Sequence, residues 1–229
     1  MKIISEIGIN HCGIFKLNEE LIRQSALGGA DYAKFQLYSS LRVFGDKSRI
    51  KNEFTFKQVK ELKSICDFYR IKFMASVFDE ERLEWCEDLG MEEYKIASRT
   101  VVKEKELCNR IISTGKPTYI SLGFWKKNKL PFQNDNIKYF NCISKYPTTC
   151  LDIENMLRYN KKIAGYSDHT YGLGMCLHQI SLGANIIEKH FTLDKSLEGS
   201  DHIVAMNLNE LIQLKELGGQ IYNVRKNLE

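Results

Sequence analysis

The sequence has little of what marks a secreted, membrane-bound or nucleic-acid-binding protein. No apolar run comes near the roughly 18 residues of a membrane span, and Glu6 interrupts the N-terminal stretch where a signal peptide would need a continuous apolar core. The net charge is only +4 over 229 residues, and the basic residues are scattered rather than striped. We therefore expect a cytoplasmic protein without a membrane or nucleic-acid partner, whose small positive excess suits an anionic small substrate.

The sequence also lacks pairs of closely spaced cysteines. The seven cysteines stand at positions 12, 66, 86, 108, 142, 150 and 176, mostly within apolar helix or strand patterns. An odd count without such pairs argues against a disulfide framework or a zinc ribbon. We expect reduced and mostly buried thiols, with Cys142 able to face a cleft from a strand end.

The chain also lacks a glycine-rich dinucleotide fingerprint after its first strand, because Gly172-x-Gly174 opens a late helix without that context. It contains no low-complexity segment either. What it does have is a composition of 43% hydrophobic and 27% charged residues, which suits a globular domain with a large core. We interpret residues 1–229 as a single domain.

Short apolar segments alternate with amphipathic ones along the chain. The apolar segments predict eight strands, at residues 2–9, 31–36, 72–77, 93–97, 117–121, 138–143, 162–166 and 185–189. Eight strands that alternate with helices favour an α/β protein of the closed, parallel (β/α)8 type, a TIM barrel. An open, doubly wound sheet is the alternative.

Helices are predicted between these strands from their end signals. Asn18 is expected to cap the first, and Thr55 with Gln58 forms a capping box for the second. The later helices are predicted over residues 79–90, 103–115, 151–159 and 172–182, with a last one starting at Asn207. The segment 124–136 contains Pro131 and no apolar stripe, so helix five should be reduced or absent. Phe124, Trp125 and Phe132 are candidates to cover the wall that this would expose.

Polar side chains end the predicted strands, at the edge of a barrel where active sites lie. The set comprises Asn10 and His11, Lys34 and Gln36, Ser76, Lys95 and Ser98, Ser121, Ser144 and Tyr146, Ser167 to His169, and Glu188 to His190. Lysines supply point charge and hydroxyls supply oriented donors, so the set predicts a pocket for phosphate and carboxylate oxygens. Glu6 stands inside the first strand, where a carboxylate is costly to bury unless it is paired or used.

Two histidines, His169 and His190, end consecutive strands. Imidazoles at neighbouring strand ends can share one divalent metal and leave positions open for water and substrate. The alternative is that each histidine bonds a neighbouring carboxylate, such as Asp168 or Glu188. Two ligands alone do not identify the metal.

Six motifs, in order, resemble the barrel domain of the sialic acid synthase family, which makes N-acetylneuraminate and related nonulosonates. They are Glu6-Ile-Gly-Ile-Asn-His11, Lys34-Phe-Gln36, Lys95-Ile-Ala-Ser98, Tyr166-Ser-Asp-His-Thr170, Glu188-Lys-His-Phe-Thr192 and Gly199-Ser-Asp-His202. The resemblance implies a (β/α)8 barrel enzyme that condenses phosphoenolpyruvate with an acyl-amino sugar aldehyde and releases phosphate. It also implies a divalent metal cofactor, commonly manganese, with magnesium or cobalt as alternatives.

Carried over residue by residue, the resemblance implies roles for fourteen positions. His169 and His190 would hold the metal, and Glu6 would handle the water that attacks the central carbon of phosphoenolpyruvate. The other eleven would bind substrate: Lys34 and Ser76 the phosphoenolpyruvate carboxylate; Lys95, Ser98, Ser121, Ser144 and Ser167 its phosphate; and Gln36, Phe78, Tyr146 and Asp201 the sugar.

The resemblance covers the barrel alone. Family members usually continue into a small antifreeze-like domain that reaches a partner's active site, whereas this chain stops at Glu229. We therefore expect a pocket open on its sugar side, and a homodimer or a partner protein that supplies the lid. Three other functions stay open: a phosphoenolpyruvate-sugar condensing enzyme with another aldehyde, a metal-dependent hydrolase, and a non-catalytic sugar- or phosphate-binding barrel that assists a complete synthase.

Overall fold

Eight parallel strands close into a barrel in the computed structural model, which describes residues 1–149, 152–153 and 156–228. The strands follow one another around the barrel in chain order, and the last pairs with the first. They are β1 (Lys2–Gly8), β2 (Tyr32–Leu37), β3 (Lys72–Val77), β4 (Tyr94–Ile96), β5 (Thr118–Ser121), β6 (Ile137–Cys142), β7 (Ile163–Asp168) and β8 (Ile186–His190). The TIM barrel is thus confirmed, and the open sheet is excluded.

The helices within the described residues surround the barrel or lie above it. They are α1 (Leu17–Leu27), α2 (Ser40–Phe44), α3 (Phe56–Phe68), α4 (Glu80–Asp88), α5 (Ser98–Lys103), α6 (Lys105–Ser113), α7 (Gly174–Leu182), α8 (Ser200–Val204) and α9 (Leu208–Leu228), with a 3-10 turn at Ile50–Asn52. The five- and six-residue helices α2, α5 and α8 were not predicted, because they are too short to show an apolar stripe. Among the described helices, none combines the length and apolarity that crossing a membrane requires.

Two predictions concern helices that the structure does not show. The segment between β5 and β6, residues 122–136, is described throughout and contains no helix, as predicted. Trp125 and Phe132 pack against the core there, but Phe124 does not: its side chain is 47% exposed and lines the mouth of the barrel, since it closely follows the end of β5. The helix predicted over 151–159 falls partly outside the described residues, and residues 156–159 are not helical.

Side-chain caps begin two helices where the sequence predicts them. The Gln58 amide N–H donates to the Thr55 hydroxyl at 3.3 Å, and the Thr55 amide N–H donates to the Gln58 side chain at 2.8 Å. Asn207 and Glu210 form an equivalent reciprocal pair at α9. The Asn18 cap is wrong: this residue lies inside the first turn of α1, and its side chain donates to a backbone carbonyl that precedes the helix.

Alternate residues of each strand point into the barrel, and they change from apolar to charged towards the C-terminal ends. A central apolar layer is formed by Ile4, Tyr32, Met74, Tyr119, Phe140 and Ile186. Two residues further along β1, β2 and β8 come Glu6, Lys34 and Glu188, which are all buried. The apolar layer therefore forms a floor beneath a ring of charged side chains.

A second charged network lies at the opposite end of the barrel, below the apolar layer. The Tyr32 and Tyr119 hydroxyls donate to the Glu93 carboxylate at 2.9 and 2.6 Å. Lys2 and Lys72 approach the same carboxylate to 3.9 and 3.6 Å. Burial alone would raise the pKa of Glu93, but these hydrogen bonds and charges lower it. Glu93 thus remains a carboxylate that ties β2, β4 and β5 together.

Gly165 of β7 lets the Phe140 ring pack against the barrel interior. A Cβ at Gly165 would lie 2.5 Å from ring carbons of Phe140, a side chain with no solvent exposure. We expect Gly165→Ala to lower the free energy of unfolding by about 1–3 kcal/mol, as overpacking does in a dense core. Urea denaturation measures this. Gly174→Ala is the control, because its Cβ would meet nothing within 4 Å; equal losses in both variants would contradict the prediction.

Candidate active site

A cavity of about 320 Å³ opens at the C-terminal ends of the strands, large enough for a small ligand. Every position assigned a role from the sequence lines it. These positions are Glu6, Lys34, Gln36, Ser76, Phe78, Lys95, Ser98, Ser121, Ser144, Tyr146, Ser167, His169, His190 and Asp201. The structure thus brings all fourteen together, while the role of each stays a prediction.

Two carboxylates and two lysines alternate across the bottom of the cavity. The Lys34 ammonium lies 2.6 Å from the Glu6 carboxylate and 3.5 Å from that of Glu188. The Lys95 ammonium lies 3.6 Å from Glu188 on the other side. All four side chains are at most 7% exposed, so each charge is held by its neighbours rather than by water. We call Glu6, Lys34, Glu188 and Lys95 the charged quartet.

The protonation equilibria within the quartet follow from these contacts. Burial would raise the pKa of Glu188, but Lys34, Lys95 and a hydrogen bond from Ser167 lower it to about 2. Burial likewise acts against charge on Lys34, yet Glu188 and Glu6 raise its pKa above the ordinary value. The pKa of Lys95 is lowered, because burial and the charge of Lys34 outweigh Glu188. Of the two lysines, Lys95 is therefore the one whose charged form an additional anion would stabilise more.

Serine hydroxyls surround the quartet. The ammonium groups of Lys34 and Lys95 donate to Ser76 at 3.1 Å and to Ser121 at 2.7 Å, and Ser167 donates to Glu188 at 2.9 Å. These hydroxyls lie on β3, β5 and β7, so one strand separates each from the next. The arrangement offers oxygen atoms of a bound anion both charge and rotatable O–H donors.

The position of Glu6 depends on a glycine two residues later. Its second carboxylate oxygen accepts a hydrogen bond from the Gln36 amide at 2.8 Å. Gly8 has a left-handed backbone, with φ of 54°, where the pairing register of β1 and β2 shifts. A Cβ at Gly8 would lie 3.1 Å from both bonded atoms, so a larger residue would crowd this contact.

The two histidines lie side by side, with ring centroids 5.6 Å apart. His169 Nδ1 lies 2.7 Å from the Ile143 carbonyl and donates to it, which leaves Nε2, 2.7 Å from the Tyr146 hydroxyl, as the nitrogen that faces the cavity. His190 Nδ1 is buried without a hydrogen-bond partner among the described residues, 3.8 Å from the Asp201 carboxylate. Burial lowers the pKa of His190 more than Asp201 raises it, which favours a neutral imidazole.

This pair fits a divalent metal. Imidazoles are common metal ligands, and the unpartnered nitrogen of His190 has a lone pair that no described contact uses. The described residues contain no group of three or more histidine, cysteine or carboxylate side chains arranged as a metal site, so the two imidazoles are the ligands that the described residues would contribute. Asp168 and Glu188, the alternative partners, bond Lys189 at 2.5 Å and Ser167 instead.

Eleven further residues line the cavity without a role assigned from the sequence. They are Val43, Phe44, Arg49, Ala97, Arg99, Phe124, Cys142, Asp168, Glu188, Lys189 and Ser200. Asp168, Glu188 and Lys189 belong to the strand-end set identified in the sequence, and Arg99 directly follows a member of that set, Ser98. Phe44 and Arg49 lie in the long connection after β2, where no strand register indicates which side chains turn inward.

The low pKa of Glu188 makes stability depend on pH. Because the pKa is lowered from 4.5 to about 2, its stabilising contribution is complete above pH 4.5 and is lost as the pH falls through 2. Between pH 5 and pH 2 we expect the free energy of unfolding to fall by ~3 kcal/mol more in the wild type than in Glu188→Gln. Urea denaturation across this range measures the difference. A Glu61→Gln variant, changed at an exposed position, should follow the wild type; if Glu188→Gln did so too, the ion pairing would be refuted.

The chain is similar to known proteins over most of its length. The model of the NeuB family matches residues 21–229. The N-acetylneuraminate-9-phosphate synthase of Mus musculus is 31% identical over an alignment that covers 93% of this chain and 67% of that protein. The N,N'-diacetyllegionaminic acid synthase of Campylobacter jejuni is 30% identical over 98% of this chain and 76% of its own.

A solved structure is similar over nearly the whole chain. The N-acetylneuraminic acid (sialic acid) synthetase of Leptospira borgpetersenii, in complex with citrate, superimposes with a TM-score of 0.83 at 30% identity. The similarity covers 97% of this chain and 84% of that one. The resemblance read from six short motifs therefore extends to the fold as a whole.

Proposed function

We propose, from the premise that the chain belongs to the NeuB family, that it condenses phosphoenolpyruvate with an acyl-amino sugar aldehyde and releases phosphate. Membership of this family supports the general conclusion that the chain is an enzyme of the nonulosonate synthase type. The charged quartet with its serine hydroxyls is the observation that carries the finer proposal. It offers two buried cations and several O–H donors to an anion with a carboxylate and a phosphate, as phosphoenolpyruvate has.

The quartet suits binding of such an anion because its lysines are already held in position. Glu6 and Glu188 hold Lys34 and Lys95 in place before any ligand arrives, so little rearrangement is required. In the proposal Lys34 and Ser76 meet the carboxylate. The phosphate is met by Lys95 together with Ser98, Ser121, Ser144 and Ser167. Lys95, which burial discourages from carrying charge, is favoured as an ammonium once the phosphate lies beside it.

The sugar aldehyde would lie above the quartet, beside Gln36, Phe78, Tyr146 and Asp201. A divalent ion held by His169 and His190, with manganese as the first candidate, would supply Lewis acidity for polarising the aldehyde oxygen. In the proposal Glu6 takes a proton from the water that attacks the central carbon, and its contacts with Lys34 and Gln36, which fix its carboxylate at the cavity, support this role.

Phosphate release separates this proposal from its alternatives. We expect the purified chain to release inorganic phosphate from phosphoenolpyruvate only when manganese and an acyl-amino sugar such as N-acetylmannosamine are both present. Mass spectrometry should then find a nine-carbon sugar acid. Release with a different aldose would favour the related condensing enzyme, release from the sugar mixture without carbon-carbon bond formation would favour a hydrolase, and ligand binding without release would favour a non-catalytic barrel.

A further inference from the structure

Two arginines flank one aromatic ring at the mouth of the cavity. The Arg49 guanidinium carbon lies 4.7 Å from the ring centroid of Phe44, and that of Arg99 lies 5.2 Å from the same centroid. All three side chains line the cavity. Stacking on a ring holds a guanidinium by its face, so its N–H donors remain available at the edge. We call Phe44, Arg49 and Arg99 the arginine cluster.

The arginine cluster carries two positive charges that no ion pair among the described residues holds, although Asp46 lies within electrostatic reach of Arg49. Within the described residues neither guanidinium forms an ion pair with a carboxylate. The charged quartet below it, by contrast, matches two lysines with two carboxylates. Asp201, an acidic residue that lines the cavity, lies 3.8 Å from His190. An anion that bound beside the arginines would therefore meet uncompensated cations with their donors free.

Chain order places the arginine cluster across the barrel mouth from the histidine pair. Phe44 and Arg49 follow β2, and Arg99 follows β4, whereas His169 and His190 belong to the ends of β7 and β8. In a closed barrel with strands in sequential order, β3 stands opposite β7. A ligand whose carbonyl lies at the histidines would reach the arginines only with its far end.

We propose that Arg49 and Arg99 form a subsite for a phosphate ester on the sugar aldehyde, at the end remote from its carbonyl. The inference rests on the proposed function, which it refines by naming the substrate class. A phosphate ester offers three acceptor oxygens and up to two negative charges, which suit two guanidinium forks. A hydroxyl in that place would leave both cations unmatched. Arg49 and Arg99 are then specificity-determining residues, and Phe44 positions them.

Steady-state kinetics with two aldehydes test the subsite. The probes are N-acetylmannosamine 6-phosphate and N-acetylmannosamine, each with phosphoenolpyruvate and manganese. We expect the wild type to prefer the phosphorylated probe. Arg49→Gln and Arg99→Gln should each lower kcat/KM for that probe about ten- to hundredfold, as loss of a charged hydrogen bond does, with kcat/KM for the other probe unchanged to within about twofold. The KM for phosphoenolpyruvate should not change.

Arg42→Gln is the matched control, because Arg42 lies in the same connection, is exposed and does not line the cavity. It should behave as the wild type with both probes. Turnover without preference for the phosphorylated probe would overturn the subsite and leave the proposed function standing. A raised KM for phosphoenolpyruvate with both probes would also overturn it, since the arginines would then bind that substrate. No turnover with either probe would overturn the proposed function and the subsite together.

Discussion

His169→Ala and His190→Ala should each lower metal-dependent turnover about a thousandfold or more, because polarisation by a metal contributes several kcal/mol to such a reaction. Each change removes one of the two imidazoles whose rings lie 5.6 Å apart above the charged quartet. Manganese content after dialysis should fall with activity. Elemental analysis and calorimetry with manganese measure metal binding, a phosphate-release assay measures turnover, and circular dichroism checks that the barrel is intact.

His178→Ala is the matched control for these variants, since His178 is exposed on α7 and does not line the cavity. It should retain both metal and turnover. If His169→Ala and His190→Ala kept their manganese and their activity, the histidine pair would not be the metal site. A metal-free variant that kept full activity would show instead that the ion has no part in the reaction.

Glu6→Gln should lower kcat about 10²- to 10⁴-fold, the range for loss of a general base. The amide has the shape of the carboxylate and can keep one of its two contacts, with Gln36 or Lys34, but it cannot accept a proton from water. Lys34 retains Glu188 as a counterion at 3.5 Å, so binding of phosphoenolpyruvate should change far less than kcat. Single-turnover kinetics and calorimetry separate these effects.

Glu93→Gln is the control variant, because it removes a largely buried carboxylate that lies outside the cavity. Its carboxylate is 13% exposed and bonds two tyrosines at the other end of the barrel. This variant should lose stability in urea without losing kcat in the folded protein. If kcat for Glu6→Gln equalled that of the wild type, another group would have to accept the proton from water. Glu188 is the remaining carboxylate of the quartet.

Much of the site could be predicted because it follows strand ends. In a parallel barrel every C-terminal strand end meets at one mouth, so Lys34, Lys95 and His169 could be placed together without any knowledge of side-chain contacts. The pairing of Glu188 with both lysines could not, because strand register is settled by tertiary packing. The resemblance to a family predicted roles for the site residues but not the contacts between them.

Some features could not be predicted from the sequence or were predicted wrongly, each for a physical reason. Phe44 and Arg49 belong to the long connection between β2 and α3, whose course depends on contacts with other loops rather than on a periodic pattern. Asn18 is a good capping residue by type, yet a carbonyl preceding α1 takes its side-chain N–H group. Phe124 was expected on the outer wall, but its place just beyond β5 puts it at the mouth.

The apolar layer of Ile4, Met74, Phe140 and Ile186 has a consequence for how this chain can change. It separates the charged quartet from the Glu93 network, so the two share no hydrogen bond or ion pair among the described residues. Effects of substitutions at separate networks usually add. A double-mutant cycle between Glu6 and Glu93 should therefore give no coupling energy. Mutations at the mouth could accumulate and alter substrate choice without changing the contribution of the Glu93 network to the free energy of unfolding.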